Sequence, residues 1–423
     1  MLFIMSLKVG IVGAGIGGLS AAIALRRTGA QVEIFERSKF ENEIGAAITI
    51  TPNGMRVLKD FGFDPKSARG VQSKQMRMVD PHTLEDLIVQ DFSQVEDDYN
   101  APFMFFHRVD LHTALKDVAV SPDLPGTPVV INNGQAVSSL DCEDGTIVLV
   151  NGDTFHKDLI VIADGVRTKL INNITKKDEK LEETGSSFYR CLIPFEEAKK
   201  DPDLASIFKD QEPGFWVPFE LSTGTYLVTY PCRDQKMLNV AFMHKTKPNN
   251  EHAEDWNTDT NIDDVIAMVE RFHPSLPKLF KLTSSLSVHK VFRREPLDTF
   301  TRGMAVIIGD AAHPMQPHHA QGAVLAIEET AVLEALFTSV QDAAQVPGRL
   351  GLYNDILKRR IHVTQLLSDA QPGVAGEFRQ RADDIWGEGL FSVTDMNFTK
   401  PVMDFFYAWD VKKEAEGVLA ARD

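Results

Sequence analysis

The chain has 423 residues, 43% of them hydrophobic, and a formal net charge of −16 at pH 7. This length suggests roughly two or three domains of about 150 residues each, enough to bury a substantial core. The negative charge argues against nucleic acid as a partner, because binding a phosphate backbone needs a basic face.

Cysteine usage and hydropathy bear on the compartment. Cys142, Cys191 and Cys232 lie far apart without CxxC spacing, which gives no disulfide framework or zinc site and fits a reducing compartment. The opening segment Met1–Met5 lacks the basic region of a signal peptide and is too short to be one, and no apolar run approaches the ~20 residues of a membrane span. We therefore expect a cytoplasmic protein without a membrane span, and the oligomeric state stays open.

The first predicted elements are a strand, a glycine-rich turn and a helix. Leu7–Val12 is an apolar run typical of a buried parallel strand, and Leu19–Leu25 has helix-forming residues. Between them, Gly13 permits a tight turn, Gly15 lets the backbone approach a pyrophosphate, and Gly18 lets the helix pack closely on the strand. Free N–H groups at the start of the helix attract the anion.

A second strand, Gln31–Phe35, places Glu36 where its carboxylate can accept hydrogen bonds from a ribose diol. The adjacent Arg37 is taken with Glu36 as a cofactor contact. The strand, turn, helix and terminal acid together predict a dinucleotide site, where the glycine pattern alone would fit an ordinary turn.

Changes of pattern further along predict an α/β fold. We expect a Rossmann-like domain with a parallel sheet, an inserted and mainly antiparallel β-sheet domain for the substrate, and C-terminal helices. An Asn-Gly turn at Asn151 predicts a hairpin, and Ala323–Leu336 and Tyr353–Leu367 predict amphipathic helices. The expected boundaries are 1–75, 101–184 and 289–370 for the dinucleotide domain, 76–100 for a substrate-domain hairpin, 185–288 for the remaining substrate domain, and 371–423 for a C-terminal helical segment.

Beyond the glycine turn, four stretches occur in a recognisable order: Gly45–Gly54, His107–Leu111, Ala163–Arg167, and Gly309–Pro314 with its extension to Glu328. With them the chain resembles the group A FAD-dependent aromatic hydroxylases, in the salicylate hydroxylase-like branch of the para-hydroxybenzoate hydroxylase fold. The resemblance runs from about residue 8 to about residue 370. It implies that the dinucleotide domain binds FAD.

Three polar residues of these stretches have a physical role beside the resemblance. Asp310 can accept a hydrogen bond from a ribityl hydroxyl, with a helix cap as the alternative. Arg108 offers a planar fork to ribityl or phosphate oxygens, with a surface ion pair as the alternative. Asp164 is expected to fix a loop and an arginine near the pyrophosphate, or else to cap a turn.

The resemblance also places smaller residues around the flavin. Gly322 and Ala323 begin a helix whose N–H groups face the pyrimidine edge of the ring. Ala47 stands beside the flavin where many relatives have glycine, and Pro314 and His318 line the substrate side. His313, His318 and His319 invite a metal site, but the prolines around them indicate a stiff wall instead, so no metal is expected.

Arg190 and Tyr230 resemble substrate contacts of the same branch and are assigned the catalytic and substrate-binding roles. An arginine in an apolar sheet is costly unless it meets an anion such as a phenolate or carboxylate, although an ion pair at the sheet surface is the alternative. Tyr230 is expected to donate a hydrogen bond to the same phenolate, or to pack in the core. Four aromatic residues are either walls of the substrate site or core: Phe215, Trp216, Phe219 and Tyr226.

The implied activity is hydroxylation of a phenolic or aromatic-acid substrate, with FAD as cofactor and NADH or NADPH and O2 as co-substrates. The resemblance implies that the oxygen is transferred from a flavin C4a-hydroperoxide to an electron-rich ring. One alternative is an FAD-dependent epoxidase or reductase acting on an alkene or polyketide. Another is a non-catalytic nucleotide-binding carrier like the prenyl-protein escort proteins, against which the complete Gly-Asp motif weighs.

Overall fold

Four β-sheets are present in the computed structural model, which describes residues 6–39, 46–209, 211–246, 261–370, 375–387, 390–392 and 397–422. The strands are β1 (Lys8–Val12), β2 (Gln31–Glu36), β3 (Ala47–Ile50), β4 (Val71–Gln72), β5 (Gln75–Val79), β6 (Asp86–Asp91), β7 (Met104–His107), β8 (Val130–Asn133), β9 (Val137–Asp141), β10 (Thr146–Leu149), β11 (Thr154–His156), β12 (Leu159–Ile162), β13 (Glu182–Pro194), β14 (Gly214–Glu220), β15 (Thr225–Cys232), β16 (Met237–Lys245), β17 (Ser287–Arg293), β18 (Thr301–Arg302) and β19 (Ala305–Ile307).

The helices are α1 (Ile16–Arg27), α2 (Pro52–Asp60), α3 (Val95–Tyr99), α4 (Arg108–Val120), α5 (Ile171–Thr175), α6 (Phe195–Lys200), α7 (Pro202–Phe208), α8 (Ile262–Val269), α9 (Leu276–Lys281), α10 (Gly322–Phe337), α11 (Val346–Asp369), α12 (Ala375–Trp386), α13 (Lys400–Tyr407) and α14 (Val411–Ala420).

The first sheet is the expected parallel one, with strand order β18-β19-β12-β1-β2-β8. All its neighbours pair in parallel except β18 and β19. Its strands are apolar because both faces are covered, and α1 packs between the sheet and α10 and α4. The carboxyl ends of β1, β12 and β19 therefore meet at one edge of the sheet.

Helix α10 differs from its prediction. The apolar spacing over Ala323–Leu336 predicted an amphipathic helix, but α10 is buried on nearly every side, and its acidic residues Glu328 and Glu329 are fully buried. Their carboxylates have protein partners, described below, which makes burial possible. Helix α11 begins at Val346, before the predicted Tyr353.

The second large sheet has the order β17-β13-β16-β15-β14-β5-β6, and its pairs are antiparallel except for β14 with β5. One face packs against α6 to α9 and buries Tyr189 and Trp216. Alternation along the strands sends Arg190, Tyr226 and Tyr230 to the other face, which turns toward the parallel-sheet domain. This sheet is the mainly antiparallel insertion that the sequence predicted.

The C-terminal residues that the structure describes form helices, as expected. Residues of α12 and α13 join an aromatic cluster with β7 and with Phe215 and Tyr230 of the antiparallel sheet. The hairpin predicted at Asn151 is present as β10 and β11. In the described part of the chain, no helix combines the length and the apolar character needed to cross a membrane.

Candidate active site

The glycine turn after β1 contains glycines that the backbone requires and one that borders open space. Gly13 has φ +99°, and a Cβ there would lie 2.5 Å from the carbonyl oxygen of Ala163. A Cβ on Gly18 would lie 2.0 Å from the carbonyl oxygen of Gly13. A Cβ on Gly15, in contrast, would meet no protein atom within 4 Å. The turn itself therefore requires Gly13 and Gly18, whereas Gly15 borders open space.

Two side chains hydrogen-bond to the backbone of this turn. The Glu36 carboxylate, at the end of β2, accepts hydrogen bonds from the backbone N–H groups of Ala14 at 2.7 Å and Ser38 at 2.6 Å. His112 of α4 lies with its Nε2 atom 2.7 Å from the carbonyl oxygen of Ala14. The N-terminal end of α1 has no side-chain cap, so its first N–H groups are left for another partner.

Asp164 follows β12 and lies directly beside the turn, with its Cα 2.9 Å from the position of a Cβ on Gly13. Its Oδ1 atom is buried and has no hydrogen-bond partner among the described residues. Burial raises the pKa of Asp164 to about 6, although a hydrogen bond with Thr168 and the charge of Arg37 oppose the rise. An unpaired acceptor in this position fits a hydrogen-bond donor from a ligand.

Asp310 lies in a short 3-10 turn after β19, where Gly309 has φ +60°. Its side chain is accessible, yet the surrounding protein raises the pKa of its carboxyl group, against the lowering effect of His313 and Arg108. The carboxylate therefore lines an interior cleft. A Cβ on Gly322 would lie 3.8 Å from Oδ1 of Asp310, so the start of α10 adjoins the same cleft.

The face of the antiparallel sheet that turns toward the cleft carries Arg190. Its Nε atom is buried without a hydrogen-bond partner, and no carboxylate of the described residues forms an ion pair with the guanidinium. The guanidinium carbon stands 5.3 Å from the centre of the Phe188 ring. Burial lowers the pKa of Arg190, and the nearby Tyr226 and Tyr230 oppose this.

The segment after Asp310 approaches this face. His318 Nδ1 lies 3.4 Å from the Tyr226 hydroxyl, and burial lowers the pKa of His318 to about 3, so its imidazole is neutral at pH 7. Thr49 of β3 lies beside the Tyr230 hydroxyl. The Tyr230 ring stacks on Phe105 with their centres 4.7 Å apart. The cleft thus lies between the two sheets.

The family model described as "FAD binding domain" matches residues 6–369, which is most of the chain. The chain belongs to this FAD-binding family. A relative 31% identical over 369 residues, "FAD-dependent monooxygenase cfoG" of Aspergillus candidus, is matched over 86% of this chain and 85% of its own length. "Hispidin-3-hydroxylase" of Neonothopanus nambi is 28% identical over 423 residues, covering 98% of this chain and 96% of the relative. The protein is therefore an FAD-dependent monooxygenase.

The solved structure described as "Salicylate hydroxylase substrate complex" has the same fold, with a TM-score of 0.75 at 19% identity over 97% of this chain and 98% of that one. This likeness confirms the predicted fold class, and the family model confirms the predicted FAD-binding family. The fold likeness extends over the C-terminal helices, beyond the residues that the family model matches.

The residues of this monooxygenase fit FAD on three separate observations. Open space borders Gly15 at an uncapped helix start, Asp164 presents an unpaired buried oxygen, and Asp310 lines an interior cleft. A pyrophosphate is satisfied by helical N–H groups, and hydroxyl groups by carboxylate oxygens. These features follow one another from the ends of β1 and β12 to the end of β19, which suits an extended dinucleotide.

The remaining predicted residues lie around the same cleft. Ala47 is buried in β3, where it pairs with His107 of β7, and Ala323 is partly buried in the first turn of α10. Pro314 is buried, while His318 is partly accessible. Gly45 lies outside the described residues. Their contacts with cofactor and substrate stay predictions.

Trp216 is the aromatic residue that the structure separates from the cleft. It pairs with Thr229 and lies in the core on the opposite face of the antiparallel sheet, whereas Phe215 contacts Tyr230 on the cleft face. Of the two alternatives left open for Trp216, wall of the substrate site or core, the structure shows the core position, because consecutive strand residues point to opposite faces.

The three histidines near Asp310 have separate partners. His313 Nε2 lies 2.9 Å from Glu329 Oε2, His319 Nε2 lies 3.3 Å from the carbonyl oxygen of Leu367, and His318 contacts Tyr226. The described residues contain no group of three His, Cys, Asp or Glu side chains able to hold a metal ion.

Sequence reasoning missed the support behind the Asp310 turn. Glu329 Oε2 accepts a hydrogen bond from the backbone N–H of Gly309 at 2.8 Å, and Tyr353 donates to Oε1 at 2.7 Å. Arg294 donates to the carbonyl oxygen of Ala311 at 2.7 Å. The available signal was the pair of acidic residues in the middle of the otherwise apolar α10.

Proposed function

We propose that this monooxygenase hydroxylates an aromatic ring that carries one ionised oxygen, a phenolate or a carboxylate, with NADH or NADPH and O2 as co-substrates. The observation that carries the proposal is the Arg190 guanidinium, buried beside the cleft without a described acidic partner. When bound, FAD would supply the redox chemistry, namely hydride uptake and activation of O2 for transfer of one oxygen atom.

The chain's own residues would hold the cofactor along the cleft. The start of α1 would receive the pyrophosphate beside Gly15, and Glu36 the adenosine ribose, with Arg37 and Asp164 next to them. Asp310 and Arg108 would bind the ribityl chain. The N–H groups of Gly322 and Ala323 would face the edge of the ring where negative charge accumulates on reduction.

Arg190 would receive the anionic oxygen of the substrate. A buried cation without a counter-ion is costly, and an arriving carboxylate or phenolate removes that cost while gaining a charge-assisted hydrogen bond. His289 lies on the same face, and burial together with Arg190 lowers its pKa to about 3, so it adds no second charge at pH 7. The face is therefore suited to a substrate with a single negative charge.

Tyr226 and Tyr230 would orient the ring next to this charge. Burial raises the pKa of Tyr230 to about 12, so its hydroxyl stays protonated and can donate to the substrate oxygen. Phe105 and Phe215 contact the Tyr230 ring with centres 4.7 and 5.3 Å away. This apolar surround excludes water from the oxygen-transfer site, which protects the activated oxygen from wasteful breakdown.

The test begins with a screen of phenolic acids and acyl phenols for accelerated NADH and NADPH oxidation, with the product mass measured for each compound. With the best substrate, Arg190→Met should lower kcat/KM by about 30-fold or more, corresponding to at least about 2 kcal/mol for a buried charged contact, while FAD stays bound. Arg77→Met is the matched control, because Arg77 of the same sheet pairs with Asp86 instead, at 2.8 Å.

The methyl ether or ester of the substrate, which lacks the negative charge, provides a second test of the contact with Arg190. It should be a poor substrate of the wild type and should lose little further activity in Arg190→Met, because the contact is already absent. Unchanged hydroxylation in Arg190→Met would refute the role of Arg190. If the enzyme inserts oxygen into uncharged alkenes and leaves phenolic acids unchanged, it is an epoxidase and the proposal is refuted. If it oxidises the nicotinamide without inserting oxygen into any compound, it is a reductase.

A further inference from the structure

The C-terminal end of α13 is held by two arginines of other elements, the buried Arg360 and the partly buried Arg56. Arg360 of α11 donates to the carbonyl oxygens of Phe405 at 3.4 Å and Phe406 at 3.0 Å. Arg56 of α2 donates to the carbonyl oxygen of Tyr407 at 2.6 Å. The last carbonyl groups of a helix have no partner within the helix, so these arginines satisfy them and fix the position of α13.

Arg360 also forms a buried ion pair with Glu328 in the middle of α10. Its Nε and Nη2 atoms each lie 3.0 Å from a different carboxylate oxygen of Glu328, and both side chains are almost fully buried. Asn53 Nδ2 donates to Oε1 of the same carboxylate at 2.9 Å. Glu328 therefore joins the C-terminal helix to the segment that follows β3.

Asn53 continues this connection to the start of α10. Its Nδ2 atom also lies 3.1 Å from Oε1 of Gln321, the residue just before the helix. Gln321 Nε2 donates to the Thr51 hydroxyl at 3.1 Å and to the carbonyl oxygen of His319 at 3.2 Å. Gly322 follows directly and adjoins Asp310. One continuous set of buried hydrogen bonds thus runs from α13 to the wall of the flavin cleft.

We propose that Arg360, Glu328 and Asn53 are positioning residues through which α13 sets the place of the α10 N-terminus against the flavin, and thereby the reduction potential of the flavin. The positive end of the α10 dipole stabilises charge on the reduced ring only within the first turn, so a small displacement weakens it. The proposal depends on FAD binding and not on the substrate, so it stands or falls separately from the role of Arg190.

The test replaces the middle of the connection. Asn53→Leu keeps the Arg360–Glu328 ion pair but separates it from Gln321, and the potential of the bound flavin is measured by dye-coupled reduction together with its visible spectrum. The potential should fall, with the ratio of reduced to oxidised flavin at a fixed potential changing about tenfold, which is about 30 mV for a two-electron couple. Arg359→Met is the matched control, because the exposed Arg359 contacts Trp386 and the carbonyl oxygen of Ile385 instead.

A second variant keeps the proposal testable if Asn53→Leu folds poorly. Glu328→Met/Arg360→Met replaces the ion pair by apolar side chains of similar length, an exchange that proteins often tolerate, and removes the Arg360 bonds to α13. It should shift the potential in the same direction and change the flavin spectrum. The proposal would be overturned if, at a fixed potential, the ratio of reduced to oxidised flavin in both folded variants stayed within twofold of the wild-type ratio. An equal shift of the potential in Arg359→Met would also overturn it.

Discussion

Substitution by alanine should affect Gly15 and Gly18 differently: at Gly18 it should lower the stability of the apoprotein, and at Gly15 it should weaken FAD binding. A methyl group at Gly18 would lie 2.0 Å from the carbonyl oxygen of Gly13, which belongs to the backbone and cannot move aside, so the turn or α1 must shift. Such overpacking costs about 1–3 kcal/mol, and more where backbone must move. We expect Gly18→Ala to destabilise the apoprotein by at least that amount.

Gly15→Ala should leave the apoprotein almost unchanged. The new methyl group meets no protein atom within 4 Å, and φ −70° and ψ −175° are acceptable for alanine. Alanine is a poorer N-cap than glycine by up to about 1 kcal/mol, while the loss of glycine's freedom in the unfolded chain returns about 0.4–1 kcal/mol. The two effects nearly cancel.

Gly15→Ala should weaken FAD binding, although it leaves the stability of the apoprotein almost unchanged. The methyl group would occupy the space that the pyrophosphate needs and would displace it from at least one N–H group of α1. Losing one hydrogen bond to a charged group costs about 1.5–3 kcal/mol, which weakens FAD binding about 10- to 150-fold.

Urea unfolding of the apoproteins and calorimetric titration with FAD measure the two quantities separately. Gly18→Ala apoprotein should unfold at lower urea, and Gly15→Ala apoprotein at nearly the wild-type concentration but with a raised FAD dissociation constant. If Gly15→Ala destabilises the apoprotein as much as Gly18→Ala does, or binds FAD like the wild type, the open space beside Gly15 is not the pyrophosphate site.

Two further predictions concern buried polar groups. The pKa of Asp164 is about 6 in the folded protein and 3.8 in an unfolded chain, so its ionisation destabilises the apoprotein as the pH rises between those values. Asp164→Asn should therefore stabilise the apoprotein at pH 7, by up to about 3 kcal/mol in urea unfolding, and have little effect below about pH 4; an equal gain at both pH values would contradict this. Tyr353→Phe should cost about 1–3 kcal/mol of unfolding free energy, because it removes the hydroxyl donor of the buried Glu329 carboxylate. Tyr189→Phe is its control and should be neutral, since the Tyr189 hydroxyl is buried without a hydrogen-bond partner in the described residues, and equal losses in both variants would exclude a specific role for Tyr353.

The glycine turn could be predicted in detail because its requirements are local. A positive φ or a close backbone approach requires glycine at one particular position. The structure shows a positive φ and a close approach at Gly13, and a close approach at Gly18, as their spacing predicted. The resemblance implied that Arg190 and Tyr230 approach the same substrate, and the structure places both on the cleft face of the antiparallel sheet. Alternation along a strand could not predict this, because the two residues lie on different strands whose relative register depends on β16.

The burial of α10 could not be predicted from its own residues. Acidic side chains normally indicate a solvated face, and Glu328 and Glu329 escape that rule only because Arg360, Tyr353 and the backbone of Gly309 reach them from other elements. Such partners lie far away in sequence and leave no local signal. The same holds for His112, whose contact with the glycine turn depends on the packing of α4 against α1.

The strand order of the parallel sheet has a consequence for how the protein is made. Strand β19 pairs with β12, and β12 with β1, so the first turn and Asp310 become neighbours only after some three hundred residues have been synthesised. A nascent chain that stops short of β19 has the glycine turn but lacks Asp310, which we propose as the other end of the cofactor site. Because a ligand stabilises only the state that binds it, we expect uptake of the yellow cofactor to stabilise finished polypeptides and not truncated ones.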